Sequence, residues 1–88
     1  MSWEYRISAK ALKQLRKLGP EPSRRILAFL DSRITGCEDP RKHGKCLKGD
    51  LGEYWRYRVS DYRILCRLSD GLLEVLVVRI GHRRDIYD

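Results

Sequence analysis

The stretch Leu51–Arg67, LGEYWRYRVSDYRILCR, constrains this chain more than any other. On both sides of Ser60-Asp61, aromatic and β-branched residues alternate with arginines, the period-2 pattern of strands that bury one face and expose the other. A tight loop at Ser60-Asp61 sets the register, with Val59 opposite Tyr62, Tyr57 opposite Ile64 and Trp55 opposite Cys66 on one apolar face. The other face is then cationic: Arg58 lies opposite Arg63, Arg56 opposite Leu65 and Tyr54 opposite Arg67. Like charges directly across a ladder are unfavourable. A hairpin that keeps Arg58 beside Arg63 is therefore expected to use concentrated positive charge, against a phosphate or a partner's carboxylates.

Before this hairpin, Trp3, Tyr5 and Ile7 alternate with Glu4 and Arg6, which predicts a short first strand. Ser8 suits an N-cap, and Ala11, Leu12, Leu15 and Leu18 follow at helical spacing, with Lys10, Lys13, Arg16 and Lys17 left outside until Gly19-Pro20. A second helix is expected from Pro22-Ser23 through Ile26, Leu27, Leu30 and Ile34 to Gly36. The short linker makes the two helices antiparallel neighbours whose apolar stripe covers one face of a sheet. Residues 37–52, CEDPRKHGKCLKGDLG, read as a surface loop in which Arg41, Lys42, His43, Lys45 and Lys48 steer a polyanion without doing chemistry.

After the hairpin, Asp70-Gly71 predicts a second tight turn, with Leu68 opposite Leu73, Arg67 opposite Glu74, and Leu73, Val75 and Val77 on the face of Ile64 and Cys66. The segment LLEVLVVRI is apolar on both faces and reads as a central strand, which Gly81 releases into a tail carrying His82, Arg83, Arg84 and Tyr87 near the cationic face. The expected fold is α+β: one domain over residues 1–88, a small antiparallel sheet with an N-terminal helical hairpin on one face, in the order β-α-α-β-β-β.

A chain of 88 residues has room for one modest core. Its net charge of +7 favours an anionic partner, nucleic acid first, while 42% hydrophobic residues in clear periodic patterns argue against a disordered basic tail. No apolar run reaches the ~18 residues of a membrane span and the N-terminus has no signal-peptide core, so a cytoplasmic location and no membrane partner are expected. The three cysteines, Cys37, Cys46 and Cys66, are an odd number without a secretory signal, which argues against a disulfide framework. Cys66 reads as core. Cys37, His43 and Cys46 lack the fourth ligand and paired spacing of a zinc site, so neither a metal nor a cofactor is expected.

Through LKGDLGEYWRYRVSDYRILCR, VVRIGHRRDIY and the opening SAKALKQLRKL, the chain resembles the RelE-type toxins of the RelE/ParE superfamily over nearly its whole length. The resemblance implies a RelE-like fold with two helices on one face of the sheet and a positively charged cleft on the other. It further implies the toxin of a type II toxin–antitoxin system, an mRNA interferase that cuts mRNA without metal, in RelE itself within the ribosomal A site. Its partners would be mRNA, the ribosome and a cognate antitoxin, for which an acidic, partly helical toxin-binding segment is expected.

By the same resemblance the catalytic positions are Arg56 and Arg58 on one strand, Arg63 on the next, and Arg83 and Tyr87 in the tail. RelE has lysines where this chain has Arg56 and Arg58. A guanidinium is effectively never deprotonated, so neither can take up a proton and their role is electrostatic. Arg56, Arg58 and Arg63 are expected to clamp phosphate with Arg83 near the scissile group, and Lys45, Lys48, Arg67 and Arg84 to bind RNA. Tyr87 is the candidate for proton transfer or base stacking, with His82 as an additional proton-transfer candidate. Two readings compete: a ParE-like inhibitor of DNA gyrase without nuclease activity, and a noncatalytic nucleic-acid-binding module, although the chain carries no helix-turn-helix or RRM signature.

Overall fold

The hairpin forms in the predicted register, with Trp55↔Cys66, Arg56↔Leu65, Tyr57↔Ile64, Arg58↔Arg63 and Val59↔Tyr62 in antiparallel pairing. In this computed structural model, which describes residues 2–47 and 54–84, its two strands belong to a five-stranded sheet. The chain runs through β1 (Glu4–Ile7), α1 (Ala9–Lys17) and α2 (Pro20–Phe29), which a π-helical turn (Leu30–Ile34) extends. A 3-10 turn (Pro40–His43) and the short β2 (Lys45–Cys46) lead to β3 (Trp55–Val59), β4 (Tyr62–Ser69) and β5 (Glu74–His82). The strand order is β1-β5-β4-β3-β2.

The sheet is mixed, not wholly antiparallel: β1 pairs in parallel with β5, Glu4↔Glu74 through Ile7↔Val77. Hydrophobic alternation carries no strand direction, and β1 leaves into α1 instead of turning back through a hairpin that would impose one. Two further bonds extend this ladder, Glu4 N–H to Leu73 O (3.0 Å) and Ser8 N–H to Val77 O (2.9 Å). β5 is thus interior, as expected of a strand apolar on both faces, although β4 is the middle strand.

The second hairpin differs from the sequence expectation. Ser69 pairs with Glu74 and Leu68 with Val75, a register two residues longer than a tight Asp70-Gly71 turn would give. Asp70–Leu73 form the turn instead, with Leu73 at φ 51° and Leu72 exposed. A shift of two preserves the side-chain period, so Val75 and Val77 still face the core. Nor does Gly81 end β5, since it pairs with Arg63 and the strand continues to His82.

The helices begin where their caps dictate. The Ser8 hydroxyl accepts from Ala11 N–H (3.1 Å) and starts α1. Gly19, at φ +94°, supplies a turn that an L-side chain would strain, and α2 begins directly at Pro20, two residues earlier than predicted. The Ser23 hydroxyl donates to Leu15 O (2.8 Å), joining the second helix to the end of the first. Ala11, Leu15, Ile26, Leu30 and Ile34 then pack on Tyr57, Ile64, Cys66, Val75, Val77 and Ile80, burying one sheet face. Each large side chain so buried contributes roughly 1.5–3 kcal/mol. Among the described residues no helix is long and apolar enough to cross a membrane.

Candidate functional site

With the helices on one face, the hairpin's arginines fall on the other. Two rows cross the sheet there: Lys45–Arg56–Leu65–Arg79 and Arg58–Arg63–Gly81. The first row depends on a β-bulge. Cys66 pairs with Val77 but Leu65 with Arg79, which leaves Val78 as an additional residue. Without the bulge, Arg79 would follow Val77 toward the helices; with it, Ile80 enters the core and Arg79 is exposed beside Leu65. Leu47 and Leu65 are buried on this outer side with Tyr54 and Val78 against them, a small apolar floor among the cations.

Arg56 and Arg63 are only 7% and 6% exposed, although they carry full charge. Burying a guanidinium is costly unless acceptors hold it. Arg63 meets two, since its Nη1 donates to Ser60 O (3.3 Å) and Tyr62 O (3.2 Å) at the hairpin turn. Arg58, directly opposite, is exposed. Arg83 sits at the same end of the sheet: its N–H donates to Asp61 O (2.8 Å), and its guanidinium lies 3.9 Å from the Asp61 carboxylate.

A cleft of about 270 Å³ opens between β3 and the preceding turn, lined by Lys42, His43, Gly44, Lys45, Arg56 and Arg58. Its wall is fixed to the sheet. Buried Pro40 accepts from the Tyr57 hydroxyl (2.8 Å), and Asp39 Oδ1 caps the turn by accepting from Arg41 N–H (3.0 Å). Gly44 lies so close to β3 that a Cβ there would overlap the Arg56 carbonyl oxygen and come within 2.7 Å of the Tyr57 ring. Lys45 then pairs with Arg56.

Arg41 secures this wall from behind. It donates two bonds to the Asp70 carboxylate (2.8 and 3.0 Å) and lies 6.0 Å from the rings of both Trp3 and Trp55. The bonds from Arg41 hold the Asp70 carboxyl below its ordinary range. Burial pushes the Tyr57 phenol and the Cys66 thiol up, keeping both protonated beneath the cationic face.

The structure therefore brings Arg56, Arg58, Arg63 and Lys45 together on one face, with Arg83 at its hairpin end. Arg67 belongs to the same face but lies four residues, or about 13 Å, along β4 from Arg63, where its guanidinium meets Tyr54 (3.2 Å to the hydroxyl). His82 is not brought to the arginines. It pairs with Tyr62 on the helix side of the sheet, edge-on to that ring at 5.7 Å, and its Nδ1 accepts from Arg84 N–H (3.2 Å). Arg84 is exposed just beyond β5, and Lys48 and Tyr87 lie outside the described residues.

Two residues go beyond the sequence reading. Arg79 joins the cationic face through a bulge that no alternation pattern announces. His43, read as part of a steering loop, lines the cleft beside Arg56 and Arg58; only the tightness of PRKHG hinted that this loop has fixed structure.

Known proteins share the fold. Residues 5–87 fit the family model described as the ParE toxin of the type II toxin–antitoxin system, parDE. Toxin RelG of Mycobacterium tuberculosis is 30% identical over 87 residues, 99% of this chain and 98% of RelG. The M. tuberculosis RelBE2 toxin–antitoxin complex contains a chain that superposes with a TM-score of 0.85 at 26% identity, covering 94% of this chain and 100% of that one. The archaeal RelE–RelB complex of Pyrococcus horikoshii gives a TM-score of 0.71 at 25% identity, covering 94% and 97%.

Proposed function

Because the chain belongs to the ParE toxin family of type II toxin–antitoxin systems, within the RelE/ParE superfamily, we propose that this RelE-type toxin is a metal-independent endoribonuclease acting on mRNA at the ribosomal A site. The observation that carries the reading is the pair of arginine rows on the open sheet face, Arg56 and Arg79 in one, Arg58 and Arg63 in the other. In the proposed reaction the RNA 2′-hydroxyl attacks the adjacent phosphorus. The P–O2′ bond forms, the P–O5′ bond breaks, and the products are a 2′,3′-cyclic phosphate and a 5′-hydroxyl. Arginines stabilise the added phosphate charge with aligned donors, and donors held in place by the fold require little reorganisation during reaction. Arg56 and Arg63 suit this because both are nearly buried while their face stays open. Arg83 is assigned to the scissile group, Tyr87 to proton transfer or stacking, and Lys45, Lys48, Arg67 and Arg84 to the RNA backbone on either side.

A cognate antitoxin is part of the proposal, supported by the solved toxin–antitoxin complexes of relatives. An acidic, partly helical segment would complement the cationic face and order on binding. The site of action follows from the substrate: translating ribosomes in the cytoplasm.

The test adds purified protein to translating ribosomes and, separately, to naked mRNA, with and without a chelator, and maps new 5′ ends. A gyrase cleavage assay runs in parallel, because the matching family model is described for parDE toxins. Ribosome-dependent cuts that persist in chelator support the proposal. Trapped gyrase with intact RNA refutes it in favour of gyrase inhibition.

A further inference from the structure

Attack by a 2′-hydroxyl requires an acceptor for its proton, and neither arginine in the cleft can serve. Lysine ammonium groups ordinarily keep their protons at neutral pH. Among the described residues lining the cleft, His43 alone carries a side chain that ordinarily both accepts and returns a proton near neutrality. We infer that His43 is the general base of the cleavage reaction, set opposite the phosphate-clamping Arg56 and Arg58 across the cleft. This rests on the nuclease reading, gives it the group that the arginines cannot supply, and leaves Tyr87 the stacking role of its two assignments.

The placement of His43 is built into the fold. Its turn is held before it by the Tyr57–Pro40 hydrogen bond and the Asp39 cap, and after it by the packing of Gly44 on β3 and the pairing of Lys45 with Arg56. Arg41 fixes the turn to the β4–β5 loop through Asp70. A general base must keep a narrow range of positions relative to the proton it takes, and a side chain on a turn anchored at both ends does so. His82 sits on the opposite sheet face. In the step itself the 2′-hydroxyl proton passes to the imidazole as the P–O2′ bond forms, and the departing 5′-oxygen takes a proton from solvent. The imidazolium then returns its proton to solvent.

The experiment compares wild type, His43→Gln, His43→Ala and Arg63→Ala in single-turnover cleavage on translating ribosomes, with thermal melts of each. Wild type that cuts, and His43 variants that melt normally yet cut about a hundredfold or more slowly, are expected. Free imidazole should restore part of the rate to His43→Ala and none to Arg63→Ala. Near-normal cutting by either His43 variant overturns the inference, and so does a slow His43→Ala that imidazole fails to restore. Wild type that cuts no RNA overturns the nuclease reading itself, an outcome distinct from both.

Discussion

Arg58 and Arg63 face each other across the hairpin, yet removing one should not resemble removing the other. Alternation alone treats them as an equivalent repelling pair, either of which could be lost with a gain in stability. The structure separates them. Arg63 is 6% exposed and donates to Ser60 O and Tyr62 O. Each bond contributes about 0.5–1.5 kcal/mol, while relief of a like-charge cross-strand pair returns only about 0.2–1 kcal/mol. Arg63→Ala should therefore cost ~1–2 kcal/mol, a melting shift of roughly 5–15 °C for a domain of this size. Arg58 is exposed, so Arg58→Ala should stay within about 0.5 kcal/mol of wild type or exceed it. Cleavage should behave differently from stability. Loss of one phosphate donor commonly costs about 2.7–4 kcal/mol of transition-state stabilisation, so both variants should cut RNA at least about a hundredfold more slowly. Urea unfolding with m-values, paired with single-turnover cleavage, measures both quantities on the same proteins. If Arg63→Ala is as stable as Arg58→Ala, the claim that the turn carbonyls hold the buried guanidinium is wrong. If both cut at the wild-type rate, the arginine rows are not the site.

Tyr57→Phe removes the donor to Pro40 O beneath the cleft; calorimetry should show a loss of about 1–3 kcal/mol, and cleavage should fall further than stability because the His43 turn loosens. Gly44→Ala places a methyl group against Arg56 O and the rings of Tyr57 and Trp55. The resulting overpacking should cost ~1–3 kcal/mol by urea unfolding, and the displaced wall should slow cutting well below the wild-type rate even where the protein remains folded. Asp70 has a lowered folded-state pKa because Arg41 donates to it. Its contribution is present above the ordinary carboxylate value of about 4 and is lost as pH falls through the lowered value, so Asp70→Asn should flatten acid unfolding curves in that window. Tyr5, half-buried and donating to Asp31 at 2.6 Å, has its phenol raised to about 12 by partial burial and by that carboxylate. Its contribution holds below about pH 10 and is lost as pH rises through about 12, which ultraviolet titration of Tyr5→Phe against wild type should detect as one fewer late-ionising tyrosine.

The pattern of Trp55 to Cys66 determined the first hairpin by itself, because a period of two and a short polar turn leave few ways to bury its aromatic face. Ser8 and the leucine spacing after it likewise determined α1. The cationic face was legible for the same reason: once Tyr57 and Ile64 turn inward, Arg56, Arg58 and Arg63 must turn outward. What the sequence could not carry is any relation set by a distant partner. The direction of β1 depends on where β5 lies, and β2 is a two-residue strand whose existence depends on the edge offered by β3. Arg79 reaches the outer face only because β4 and β5 slip by one residue at Leu65/Cys66, a slip that lets Ile80 fill the core opposite Ile64. His43 looked like one more polar residue in a charged loop. It becomes part of a cleft because Tyr57, from a strand 14 residues away, reaches under it to hold Pro40. Local patterns decide which face a side chain takes, whereas packing between remote segments decides which faces meet.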